Sequence, residues 1–252
     1  MKHFIRTWHL QLDVAPWIEM IKENEDKFYR PFSDPNSYLN IFEDKPDTSI
    51  KFLNLQDCDY TRAPIRDGVK YIKYLISVQR KLGNEDAVAF LKAGYDRFIV
   101  ETNEENFIIK PTDPKMKRLL LDLQSMWGFD ASRRPMGDIK RARIVKMPAG
   151  GTVGYHRDET AAKNIRVICP LITNENVFNA FKDNDGEKLY HFPASGKFYT
   201  FEEDKIEHAV FNRSDQDRYA LIFTAMNIPD LKEFDRNWKK NDMFWKAYSR
   251  GI

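Results

Sequence analysis

An α+β fold is predicted by three features of this 252-residue chain. Residues 1–137 place apolar side chains mainly at helical spacing, and residues 138–228 break into short runs of Val, Ile, Phe and Tyr between turn clusters. After Pro229 the helical spacing returns. Helices packed on an antiparallel β sandwich or barrel satisfy all three features. No Pro/Gly/Ser-rich linker intervenes, so the chain reads as a single integrated domain over 1–252. Its parts are a mainly helical support region (1–137), a β core (138–228) and a C-terminal helix (229–252).

The stretch from Asp13 to Asn24, with Trp17, Met20 and Ile21, is the first helix candidate. Pro64 opens a second, in which Ile65, Val69, Ile72, Leu75, Ile76 and Leu82 recur at helical spacing up to Gly83, a C-cap residue. Asn84 can cap a short helix through Val88 and Leu91. Asp113-Pro114 starts the clearest one, with Met116, Leu119, Leu120, Leu123 and Trp127 on one face before Gly128. Strand-like runs then follow at Ile139–Met147, Thr152–His156, Asn164–Ile172, Lys188–Phe192, Lys197–Phe201, Glu207–Asn212 and Arg218–Met226. The turn clusters PAGG (148–151), DNDG (183–186), PASG (193–196) and NRSDQD (212–217) separate several of them. Leu231, Phe234, Trp238, Trp245 and Tyr248 form the final helical stripe.

Forty Lys and Arg against 38 Asp and Glu leave no basic field for nucleic acid. Cys58 and Cys169 form no CxxC-type pair, which argues against a disulfide scaffold or cysteine zinc site and for a reducing compartment. No run approaches the roughly 18 apolar residues of a membrane span, and the N-terminus lacks a signal-type core. A soluble, cytoplasmic protein is the expectation.

Among five histidines, two stand in informative company. In Tyr155-His156-Arg157-Asp158 the imidazole and carboxylate are two residues apart, a spacing that places both on one face of an extended strand. His208 in Glu207-His208-Ala209-Val210 supplies a second imidazole. Two imidazoles and a carboxylate on one face of an octahedral ion leave positions open for Fe(II) oxygen chemistry. A lone His-x-Asp also arises by chance in a solvated loop. The added observation is Arg218, ten residues beyond His208 across a polar turn, whose planar guanidinium suits a carboxylate.

The order His-x-Asp, then RVICPL (166–171), GKFYTF (196–201), EHAVFNRS (207–214) and RYALIF (218–223) resembles one family. These are the Fe(II)/2-oxoglutarate dioxygenases of the aspartyl/asparaginyl β-hydroxylase and free-proline cis-hydroxylase type. The resemblance spans roughly residues 139–226. It implies a double-stranded β-helix (a jelly-roll, cupin-like core), with His156, Asp158 and His208 holding iron. It also implies that 2-oxoglutarate chelates that iron while Arg218 grips the distal carboxylate, and that O2 is consumed in hydroxylating a C–H bond. Asp158 stands where the aspartyl/asparaginyl branch has Gly, which places the chain nearer the proline hydroxylases and argues against halogenation. The family's R-x-H reads here as Arg166-Val167-Ile168, so Arg166 is a second carboxylate contact without its partner imidazole.

Substrate-contact candidates are Arg141 and Arg143, which share parity with Val145 and Met147, together with Tyr155 and Asn212. Each has a plainer reading: charged protection of an edge strand for the arginines, core or rim packing for Tyr155, and a turn for Asn212. His191 reads as a half-buried strand residue. The expected function is hydroxylation of an amino acid or of an amino-acid side chain in a peptide, with no nucleic-acid or membrane partner and a homodimer left open. Two rivals remain: oxygenation of another small metabolite, and a non-catalytic cupin-like metal or ligand sensor.

Overall fold

The computed structural model describes residues 5–28, 50–58, 66–93, 107–109, 111–127, 138–157, 165–183, 186–201, 203 and 206–226. Asp158, Pro64, Ile65 and the helix expected over 229–252 lie outside the described residues.

The expected helices form where their caps direct. They are α1 (Ala15–Glu23), α2 (Arg66–Lys81), α3 (Glu85–Ala93) and α4 (Pro114–Trp127). Gly83 closes α2 in the left-handed region at φ 71°. Asn84 Oδ1 accepts from Ala87 N at 3.1 Å to open α3, and Asp113 Oδ1 accepts from Met116 N at 2.8 Å to open α4.

The support region is not only helical. It also contributes β1 (Ile5–Gln11), β2 (Lys51–Asn54), β3 (Asp57–Cys58) and β4 (Phe107–Ile109). The core holds β5 (Asp138–Met147), β6 (Thr152–His156), β7 (Ile165–Ile172), β8 (Val177–Asp183), β9 (Gly186–Tyr190), β10 (Lys197–Phe201), β11 (Glu207–Asn212) and β12 (Arg218–Met226). Strand β8 is missing from the sequence expectation because Asn179 and Ala180, poor strand formers, interrupt its apolar pattern. Pairing with β11 at six consecutive positions overrides that weakness. The strand expected over Lys188–Phe192 runs two residues earlier, because Phe192 leaves the ladder to stack on Tyr199 at 4.4 Å.

Two antiparallel sheets form the core, ordered β1-β10-β7-β12-β5-β2 and β6-β11-β8-β9. From β5 to β12 the chain passes between the two sheets, which is the double-stranded β-helix or jelly-roll topology. β1 and β2 extend the larger sheet at its two edges.

The outer face of the larger sheet packs on α1 and α4. Trp17, Met20 and Ile21 meet Leu119, Leu120, Leu123 and Trp127 over Ile144, Val167, Leu221 and Phe223. Trp127, fully buried, lies 4.6 Å from Trp8, 5.0 Å from Phe223 and 5.5 Å from Phe198 between ring centroids. Cys169 sits in the same layer, where burial pushes its thiol up to about 12 and leaves it inert. At the rim Lys146 bridges Glu25 and Asp217, while Tyr219 Oη donates to Glu25, tying the end of the α1 region to β5 and β12. Among the described residues no helix is long and apolar enough to cross a membrane.

Gly196 (φ 74°) locks β1 to β10: its carbonyl accepts from Leu12 N at 2.8 Å. A Cβ there would stand 2.2 Å from Leu12 O, a backbone atom held in that contact. Gly196→Ala is expected to destabilise the fold by about 3 kcal/mol. Urea denaturation checks this, and an unchanged midpoint would refute the locking role.

Candidate metal centre

Strand alternation alone would turn His156 the wrong way. In β6 and β11 the register runs Thr152↔Phe211 and Val153↔Val210, then skips to His156↔His208. Gly154 and Tyr155 together oppose Ala209, a β-bulge of one extra residue. Thr152 and Tyr155 therefore share the outer face with Phe211, while the bulge brings His156 to the inner face beside Val153. There it stands directly across from His208, with ring centroids 4.4 Å apart.

Each imidazole is oriented by its own strand. His156 Nδ1 lies 2.7 Å from Gly154 O, and His208 Nδ1 lies 3.1 Å from Ile206 O. A carbonyl can only accept, so in both rings Nδ1 carries the proton and Nε2 carries the lone pair. This is the arrangement of metal-binding histidines whose second nitrogen is anchored. Phe201, at 4.8 Å, and Phe181, at 6.5 Å, wall His208, which is 5% exposed. Strand β6 ends at His156, so the described residues contain two nitrogen ligands of the expected triad, with Asp158 beyond them.

Arg218 opens β12 opposite Met147. Its neighbours Tyr219, Leu221 and Phe223 face the helix-side core, so Arg218, Ala220, Ile222 and Thr224 face the barrel interior. Arg218 is 3% exposed, and its guanidinium has no hydrogen-bond or ion-pair partner among the described residues. Burial alone lowers it to about 10, which keeps it cationic at neutral pH. A buried, charged fork without a counter-ion is costly unless an anion joins it. An interior carrying two lone-pair nitrogens and one such cation fits a metal ion with a carboxylate-bearing ligand.

The other candidates separate. Arg166 shares the inner face with Thr224 and forms an ion pair with Glu203 at 3.3 Å, a partner not anticipated from the sequence. Arg143 also faces inward, over the Phe52 ring at 4.1 Å. Arg141 does not share its alternation. It is a bulge residue with φ 53°, because Arg141 and Ala142 together oppose Phe223. The buried Gln56 amide fills the interrupted ladder, donating to Ile139 O at 3.1 Å and accepting from Ala142 N at 3.0 Å. The bulge gives Lys140 the place opposite Thr224 that simple alternation assigns to Arg141. Positive φ at a non-glycine residue is the signal, and no sequence pattern announces it.

Tyr155 points away from the histidine pair. It packs on the outer cluster with Phe178 and Phe211, bonds Glu187 through its hydroxyl and lies beneath Lys182. Burial, reinforced by Glu187, raises its pKa, so it stays a neutral phenol. Asn212 is committed to the turns: Nδ2 donates to Pro148 O at 2.9 Å and Gln216 O at 2.7 Å, and Oδ1 accepts from Ser214 Oγ at 2.7 Å. The substrate expectation for Tyr155 and Asn212 gives way to outer-face packing and turn closure. His191, half-buried just after β9, places Nδ1 3.1 Å from Val177 O.

Residues 123–227 match the family described as aspartyl/asparaginyl beta-hydroxylase. Comparison with curated proteins gives no match. Among solved structures the chain is similar to a Pseudomonas putida prolyl-4-hydroxylase, at 10% identity over 90% of this chain and 94% of that one, with a TM-score of 0.43. It is also similar to a Trichoplax adhaerens prolyl hydroxylase in complex with a hypoxia inducible factor peptide fragment, at 11% identity over 95% and 89%, with a TM-score of 0.45. A Bordetella pertussis cupin domain matches at 21% identity over 34% of this chain and 80% of that one, with a TM-score of 0.27.

Asn212→Ala removes the bonds that join the β5–β6 and β11–β12 turns. It is expected to cost about 2–4 kcal/mol of stability while leaving metal affinity within about twofold. Chemical denaturation and calorimetric titration with Mn(II) separate the two; a selective loss of metal binding would restore a site role for Asn212.

Proposed function

We propose that this chain, whose residues 123–227 match the family described as aspartyl/asparaginyl beta-hydroxylase, is an Fe(II)/2-oxoglutarate enzyme that hydroxylates an amino acid or an amino-acid side chain in a peptide. The observation that carries the reading is the pairing of two oriented imidazoles with the buried guanidinium of Arg218, which has no partner among the described residues.

In this reading His156 and His208, with Asp158, would hold Fe(II) through Nε2 atoms and a carboxylate. Arg218 would take the distal carboxylate of 2-oxoglutarate. Bound iron and 2-oxoglutarate would supply the oxidising power, one oxygen atom of O2 entering the substrate C–H bond and the other entering succinate as CO2 leaves. The four residues from His208 to Asn212 span about 13 Å of strand, a length that an ion and a five-carbon chain can bridge toward the Arg218 end. Val153 and Val210 line that interval, and aromatic walls around His208 limit water. Arg143 on the inner face supports an anionic group in the substrate, such as an amino-acid carboxylate. β1 and β2 within the core sheet support one integrated domain over 1–252.

Supplied with Fe(II), ascorbate and 2-oxoglutarate, the chain is expected to release succinate, slowly without substrate and faster with the correct amino acid or peptide. Mass spectrometry should show the gain of one oxygen. Arg218→Met is expected to weaken use of 2-oxoglutarate on the order of 100-fold, and Asp158→Ala to abolish coupled hydroxylation. Tight metal and 2-oxoglutarate binding with no oxidised product under any condition would favour a sensor and sink the enzyme reading.

A further inference from the structure

We infer that Thr173 is a second carboxylate-binding residue, its hydroxyl donating to the anion that Arg218 grips. The inference rests on the proposed 2-oxoglutarate site and assigns that site a donor outside its sequence motifs. In the β7–β12 ladder Ile172 pairs directly with Tyr219, and both pack on the helix-side core. One step further, side chains alternate to the opposite face, so Thr173 and Arg218 come side by side toward the barrel interior. Directly opposed residues in an antiparallel pair stand about 5 Å apart at Cβ.

Two observations set Thr173 apart from an ordinary strand-end threonine. Its Oγ1 is buried and has no hydrogen-bond partner, in a position where bonding its own backbone would be the usual outcome. The turn that follows is closed by Asn174, whose carbonyl accepts from Val177 N at 3.1 Å and whose Oδ1 accepts from Asn176 N at 2.9 Å. Thr173 is therefore held between a paired strand and a fixed turn. Next to it, Arg218 is the other buried polar group without a partner among the described residues of this corner. A carboxylate joins them. Its two oxygens offer about four acceptor positions, of which a guanidinium fork fills two, leaving room for a hydroxyl.

The test is direct binding of 2-oxoglutarate to the full chain with Fe(II) under anaerobic conditions, read by calorimetry. Thr173→Val keeps the shape and removes the hydroxyl; Thr173→Ser restores it. Thr173→Val is expected to weaken 2-oxoglutarate binding about tenfold, Thr173→Ser to stay within about twofold of wild type, and metal affinity and melting temperature to hold. Wild-type affinity in Thr173→Val overturns the assignment, and if Arg218→Met has lost binding, the Arg218 site survives it. Equal losses in both Thr173 variants together with lowered melting temperatures also overturn it, in favour of packing. No 2-oxoglutarate binding by the wild-type chain removes the proposed site and this inference together.

Discussion

One extra residue in β6 decides the site. With strict alternation from Thr152, His156 would lie on the outer face near Phe178 and Phe211. The bulge at Gly154-Tyr155 turns the ring inward and aligns it with His208 across the ladder. The same two-residue step supplies the Gly154 carbonyl that fixes the His156 tautomer. The pair is rigid because both rings are anchored on backbone atoms rather than on mobile side chains.

A second bulge, in β5 at Arg141, performs the matching operation on the larger sheet. It directs Ala142 and Ile144 to the helix-side core and Arg143, Val145 and Met147 to the interior. Gln56 stabilises it from the loop after β2, so a residue of the N-terminal half repairs the ladder of the β core. Helices α1 and α4 brace the far side of that sheet around Trp127, while the interior combines charged side chains with the cluster of Phe181, Phe192, Tyr199 and Phe201. The helical layer thus adds apolar burial on the outer side of a barrel that holds Arg143, Arg166 and Arg218 inside.

Among the described residues, the charges of the interior favour anions. Arg218 enters with no counter-charge, Arg166 is balanced by Glu203, and Arg143 is softened by the Phe52 ring.

Much of this was legible in the sequence by itself. The caps of α2, α3 and α4, the run of core strands and the residues His156, His208 and Arg218 are written in local patterns, because caps, turns and side-chain periods are local physics. The tertiary structure decided which faces those residues present. Both bulges depend on register against a partner strand, which no local pattern encodes; one takes Arg141 out of its expected alternation, and the other turns Tyr155 to the outer face, in line with its plainer reading as a packing residue. β1 and β8 exist because β10 and β11 pair with them, and Glu203 meets Arg166 only once the barrel closes. The histidines and the arginine were in the sequence from the start. That the histidines face each other follows from one inserted residue in β6, whose effect appears only when strands are paired, and Arg218 is turned into the same interior by the pairing of β12.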